Sequence, residues 1–191
     1  MTHLGDPFTI ADIRAGFATE AEAVHTFFSD IPADQFFTAP DDVWSAADNL
    51  VHLIISCSAI ITGLRLPKAA LRLRFGKATG PSRPLAESRH QYVEVALAAG
   101  GVATGGFVPV VKEHSAAERS RILDKWSQKG AAMVKNLGRW QDADLDTVNV
   151  PHPLLGDMTL REILFFTLYH NMHHVNDTAR LLDRPEQEWF L

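Results

Sequence analysis

The stretch TLREILFFTLYHNMHHVNDTARLL, residues 159–182, decides how the chain is read. With Leu160 as the origin of a helical projection, Ile163, Leu164, Thr167, Asn171, His174, Val175, Thr178, Leu181 and Leu182 fall within roughly 60° of one direction, at about 100° per residue. That periodicity predicts a long amphipathic helix. Thr159 and Glu162 supply the capping-box pair that opens it. His170 lies roughly 80° from the apolar direction and His173 near the far side. His170 and His174 are four residues apart, so they point the same way one turn on and could close on a single cation.

Three further long helices are expected upstream. Ile10, Ile13, Phe17, Ala21, Val24 and Phe28 recur at three- and four-residue intervals, which predicts a helix over Thr9 to Ser29, ended by Ile31-Pro32. Ser45, three residues before Asp48, opens a second helix from Ala46 to Leu64, closed by Pro67. Ser115 and Glu118 open a third, whose apolar face is Ile122, Leu123, Trp126, Met133, Val134 and Leu137 and which ends near Gly138. A shorter helix is expected from Leu85 to Ala99. It is followed by the flexible connection Gly-Gly-Val-Ala-Thr-Gly-Gly, which lacks the Lys-Ser/Thr ending of a phosphate loop. No run reads as a strand. The expected fold is therefore all-α, a four-helix bundle with additional short helices in its connections and one domain over residues 1–191.

Composition narrows the function. The chain has 191 residues, 46% hydrophobic and 21% charged, and a formal charge of -5. That balance disfavours nucleic-acid binding, since no basic stripe interleaves with aromatics. One cysteine, Cys57, excludes an intrachain disulfide and a cysteine-rich zinc site and suits a reducing cytoplasm. The N-terminus lacks the basic start and apolar run of a secretory signal. The apolar run Leu50 to Leu64 is shorter than the roughly 20 residues that span a bilayer, so it reads as a buried helix and no membrane partner is expected.

Helix two carries no charged residue between Asn49 and Leu64, which predicts enclosure on nearly all sides. Leu50, Leu53, Ile54, Cys57, Ile61 and Leu64 share one side. His52, Ser56, Ala59 and Gly63 form an opposite stripe of small residues, where another helix or a cavity can approach. A catalytic metal usually takes three protein ligands, and His52 is the natural third beside His170 and His174. Taken singly, a buried histidine is more often a hydrogen-bonded core residue, and an isolated His-x-x-x-His is weakly specific.

Other residues stand lower. Asn171 occupies the place where a zinc peptidase needs its general-base glutamate, so proteolysis is disfavoured and hydrolysis weakened. Asp48, one turn before His52, reads first as a helix cap. His3, His25, His90 and His114 read as surface or cap residues. His152, between Pro151 and Pro153, reads as a rigid-loop residue with a place at a cavity mouth open to it. Asp142, Asp144 and Asp146 lack the glycine and glutamate of a calcium loop and read as solvated acids. Six basic residues lie between Arg65 and Arg83 with no acidic residue among them; Arg72 and Arg74 are candidates for an anionic small molecule, against a plain solvated loop with a short helix. Trp189 and Phe190, beyond Pro185, are expected to dock on the bundle or on a second subunit.

Trp44-Ser45-Ala46-Ala47-Asp48-Asn49-Leu50-Val51-His52-Leu53, His152-Pro153-Leu154-Leu155-Gly156 and the stretch from Thr159 to His174 together resemble the DinB-like superfamily of four-helix metalloproteins. The middle of the chain matches only in helical character. The resemblance implies a metal site of His52, His170 and His174, binding zinc or nickel with water in the remaining positions, and a homodimer. It also implies an enzyme of the kind that uses a low-molecular-weight thiol, a transferase or isomerase acting on a small molecule. The rival expectations are a non-enzymatic metal-binding or stress-associated bundle and a metal-free helical interaction protein.

Overall fold

The computed structural model describes residues 8–78, 80–97, 102–152 and 154–189. Its long helices are α1 (Ile10–Ser29), α2 (Ala46–Arg65), α5 (Ala116–Leu137) and α7 (Leu160–Leu181), with short helices α3 (Lys68–Phe75), α4 (Leu85–His90) and α6 (Asp142–Leu145) in the connections. The bundle is a closed ring. α1 packs on α5 and α7, and α2 packs on the same two, so α1 and α2 lie diagonally and α2 adjoins α7 along its length. That adjacency is what brings His52 beside the histidines of α7.

Each long helix starts where its side chains can satisfy the free N–H groups of its first turn. Thr9 with Asp12, Ser45 with Asp48 and Thr159 with Glu162 form reciprocal boxes. At α5 only half of the expected box forms. Ser115 accepts from the Glu118 N–H, but the Glu118 carboxylate turns to Arg121 instead. The α1–α5 crossing is close because Gly130 faces Ala21, where a Cβ on the glycine would lie 2.5 Å from the alanine Cβ. Phe17, Val24, Phe28, Leu53, Trp126, Met133, Leu164 and Leu168 fill the core between the four helices.

Other expectations are corrected as well. The expected absence of strands fails at a hairpin, β1 (Asn149–His152) with β2 (Gly156–Thr159), paired antiparallel with His152 opposite Gly156, which takes a positive φ of 71°. Four-residue strands are too short to show an alternating pattern in sequence. The helix from Leu85 changes pitch. It runs α-helically to His90 and continues as a π-helical stretch, Gln91–Leu97, with Ala98 and Ala99 outside the described residues. The acids near residue 144 are ion-paired instead of merely solvated: Asp144 pairs with Lys68, and Asp142 and Asp146 pair with the buried Arg161.

α2 is the one helix among the described residues long and apolar enough to cross a membrane. Its apolar side, Leu50, Leu53, Ile54, Cys57, Ile61 and Leu64, is buried against α5 and α7. The expected enclosure on nearly all sides fails on the opposite stripe. Ser56, Ala59 and Gly63 line a cavity, and Ala59 is exposed to it, so an uncharged helix here means a cavity wall as well as a core. Trp189 docks on the bundle, buried, with its backbone N–H donating to the Met172 sulfur at 3.3 Å; Phe190 lies outside the described residues.

Candidate metal centre

His52 of α2 and His170 and His174 of α7 come together as the sequence predicts. All three are buried, and one ring nitrogen from each lies within 4.8 Å of the others. The closest approach is between the Nε2 atoms of His52 and His170, at 3.0 Å. Their ring centroids are 5.0 Å apart, and each stands 4.6 Å from the ring of His174.

Hydrogen bonds behind the rings fix two of the tautomers. His52 Nδ1 lies 2.7 Å from the Phe107 carbonyl oxygen, which can only accept, so Nδ1 carries the proton and Nε2 a lone pair. His174 Nδ1 lies 2.8 Å from Asn49 Oδ1. The Asn49 amide is oriented by its other end, since Nδ2 donates to the carbonyls of Ser45 at 3.0 Å and Trp44 at 3.3 Å. His174 therefore also presents an Nε2 lone pair. His170 Nδ1 is buried without a partner among the described residues.

These contacts test whether the residues fit a cation. Two imidazole lone pairs facing each other at 3.0 Å repel unless a proton or a cation lies between them. A proton would join one pair and leave the third ring unsatisfied; one cation would satisfy three lone pairs. Nitrogens each bound to zinc at about 2.1 Å and tetrahedral angles stand about 3.4 Å apart, comparable with this cluster. Burial pushes all three imidazoles below their ordinary range, His170 and His174 well below it, and each histidine further disfavours charge on the others. The rings are neutral at pH 7, the form a metal needs. The described residues thus hold a buried three-histidine group that could bind a metal ion.

The group opens on a cavity of about 1170 Å³ lined mainly by apolar side chains, among them Trp44, Phe75, Tyr92, Phe107 and Phe166. Trp44 stacks on His174 with centroids 5.7 Å apart and 22° between planes, and stands 5.0 Å from His52. Tyr92, delivered by the π-helical stretch, packs edge-on against Phe166 at 4.9 Å, and burial raises its hydroxyl pKa far above the usual value.

A family model for the DinB superfamily matches residues 17–177, which include all three histidines, the whole of α2 and α7 as far as Asp177. The chain belongs to the DinB superfamily. No curated protein and no solved structure matches it. The DinB assignment agrees with the bundle and with the position of the histidine group at the α2–α7 seam.

Other candidates fall elsewhere. Arg72 and Arg74 do not line the cavity: Arg72 donates to Thr147 at 2.7 Å and Arg74 lies over the Phe75 ring, although Leu71 and Phe75 of the same helix do line it. Asp48 is the cap of α2, bonded to Ser45, and takes no part behind the histidines. His173 is not a free far-side residue. It lines the cavity edge, 3.3 Å from Asp177 and edge-on to Tyr92. His152 stands in β1 and lines the cavity, not in a loop. Of the remaining histidines, His25 faces Ser29, His114 stacks on Phe37 and His90 is exposed; His3 lies outside the described residues.

Sequence reasoning missed Asn49 and Phe107, which orient the rings. Asn49 had a signal, a polar residue three before His52 and so on a neighbouring part of the same face. Phe107 had none, because its backbone carbonyl acts and not its side chain. Glu20 was also missed: it sits on the apolar stripe of α1 between Phe17 and Val24, where its carboxylate accepts from Asn171 Nδ2 at 2.9 Å.

Proposed function

We propose that His52, His170 and His174 bind one divalent cation, zinc or nickel, and that the DinB protein is a metal-dependent enzyme of the thiol-dependent transferase type acting on a small molecule. The observation that carries this reading is the placement of three convergent, partner-oriented imidazoles on the wall of an apolar cavity. A bound divalent cation lowers the pKa of a coordinated thiol or water and so supplies a nucleophile near neutral pH. The chain's own residues bind and orient. Asn49 and Phe107 hold the rings, Trp44 covers His52 and His174, and the apolar lining excludes water from the reacting groups.

The chain's own thiol is unsuited to the task. Cys57 is buried, and burial together with nearby Glu20 pushes it up to about 12, so it stays protonated. A thiol nucleophile would thus come from a diffusible cosubstrate. Arg74, exposed on α3 next to the lining residue Phe75 but outside the cavity lining itself, is the candidate for its carboxylates, with Arg72 already engaged with Thr147. The net charge of -5 and the lone buried cysteine support a cytoplasmic protein that binds neither nucleic acid nor a membrane. The exposed Leu66 and Leu73 offer apolar area to a second copy in a homodimer.

The test is metal analysis of untagged protein together with assays of thiol conjugation to electrophiles. The expected result is about one metal per chain and turnover that disappears in His174→Ala. Metal without turnover by any physiological thiol would make it a non-enzymatic metal-binding protein. Absence of stoichiometric metal would leave a helical interaction protein.

A further inference from the structure

His152 ends β1, and the chain turns back at once into β2. In that turn the backbone N–H groups of Leu154 and Leu155 both lie 3.2 Å from His152 Nδ1. Both are donors and can be nothing else, so Nδ1 must offer its lone pair. The neutral ring then carries its proton on Nε2. Burial pushes this imidazole down to about 4, which keeps the ring neutral at physiological pH.

Nε2 has no partner among the described residues, and His152 lines the cavity. The ring stands edge-on to Phe166 at 4.4 Å between centroids, and Phe166 in turn stands 5.1 Å from His170. One aromatic ring therefore separates His152 from the three-histidine group. A molecule lying along Phe166 has the group at one end and an N–H donor at the other.

We propose that His152 is a fixed hydrogen-bond donor that positions a cavity ligand through an acceptor oxygen, a carboxylate or carbonyl on an apolar body. The tautomer also keeps it from being a fourth ligand: Nδ1 is turned into its own loop, and Nε2 holds a proton. The proposal rests on the cavity being a small-molecule site, and it does not require that the reaction be thiol transfer. His152 is a positioning residue, held by backbone groups of the hairpin and not by another side chain.

The test uses full-length protein, with and without one equivalent of zinc, and three probes of like shape: benzoate, acetophenone and toluene. Long-range proton–nitrogen correlation spectra of histidine-labelled protein are expected to show His152 protonated on Nε2 alone in both forms. A proton on Nδ1, a charged ring at pH 7, or a zinc-induced shift of its Nε2 into the metal-bound range would overturn the proposal. Benzoate and acetophenone are expected to bind about 10-fold more weakly to His152→Phe, with about 3-fold or less lost in His152→Gln, which retains a donor; a tenfold change corresponds to about 1.4 kcal/mol. Toluene is expected to bind both variants like the parent. Equal binding of the oxygen-bearing probes to the parent and to His152→Phe, or none to the parent, overturns it. Loss of one probe alone says which oxygen chemistry the donor serves. Zinc content is measured in each sample. Failure of the metal reading then appears as absent zinc with probe binding and tautomer intact, and failure of this proposal as the reverse. Should His152→Phe not fold, the tautomer measured in the parent protein decides.

Discussion

α7 carries buried polar side chains toward two neighbours, and the two groups behave differently. Toward α2 and the cavity stand His170 and His174, with His52 opposite; the Nδ1 atoms of His52 and His174 are held from behind, and one nitrogen from each of the three rings lies within 4.8 Å of the others. Toward α1 stands Asn171, whose amide reaches the buried Glu20 and lies 3.8–3.9 Å from the Cys57 sulfur. Glu20, Asn171 and Cys57 do not line the cavity, and Glu20 Oε1 has no partner among the described residues. Burial raises the Glu20 carboxyl well above its ordinary range, against the opposing hydrogen bond from Asn171. Buried polar residues thus point to a site when their unpaired atoms converge and can be reached. Sealed away, they bear on stability and its pH dependence.

The contrast breaks most sharply at the ligands. His52→Ala or His174→Ala is expected to weaken zinc or nickel by more than about 100-fold, since removal even of a residue behind a ligand costs about 10–100-fold; metal content after gel filtration reads this. Retention of one metal per chain in both variants would end the three-histidine assignment. Asn49→Ala tests the orienting bond. It is expected to lower metal affinity about 10–100-fold in chelator competition, with a cost in stability of about 1–2 kcal/mol from the lost hydrogen bonds.

The two groups should also titrate in opposite senses. The folded pKa values of His52, His170, His174 and His152 are lowered, so their contribution is fully present above pH 6.5 and is lost as pH falls, for His152 down to about 4. Each imidazole protonated only in the unfolded chain adds about 1.36 kcal/mol of slope per pH unit. Urea unfolding of metal-free protein between pH 4.5 and 7.5 should show this loss on acidification. A flat profile would remove the premise that the rings are neutral in the fold.

Glu20 runs the other way. Its folded pKa is raised, so its contribution is complete below the unfolded value of 4.5 and declines as pH rises toward the folded one. Glu20→Gln keeps an acceptor for Asn171 and removes the carboxyl that must stay protonated or be buried charged. The variant is expected to gain about 1 kcal/mol at pH 8, a gain that shrinks toward pH 4.5. If it is instead less stable at pH 8, the Glu20 side has a role beyond that of a sealed polar contact. Calorimetry of metal-free samples distinguishes the two.

Most of the bundle was legible because helix signals are local. Capping pairs at Ser45 and Thr159 and apolar residues at three- and four-residue spacing predicted α2 and α7 closely. The reciprocal box expected at Ser115 and Glu118 forms only by half, because Glu118 has a competing partner in Arg121 one turn on. The basic segment and the acids near residue 144 were each read alone. Their pairing through Lys68 and Asp144 joins residues 76 positions apart, which no local pattern records.

By itself the sequence determined which side chains could ligate: one cysteine, no glutamate after His170, two histidines on one helical face and a third on an uncharged helix. Those are matters of residue type and short-range period, and they survive any arrangement of the helices. Only the tertiary structure decided that α2 lies against α7, that a backbone carbonyl from a glycine-rich connection orients His52, and that the stripe of small residues opens on a cavity. Contacts between distant segments depend on how whole faces pack, and a backbone oxygen has no signature in the residue that carries it.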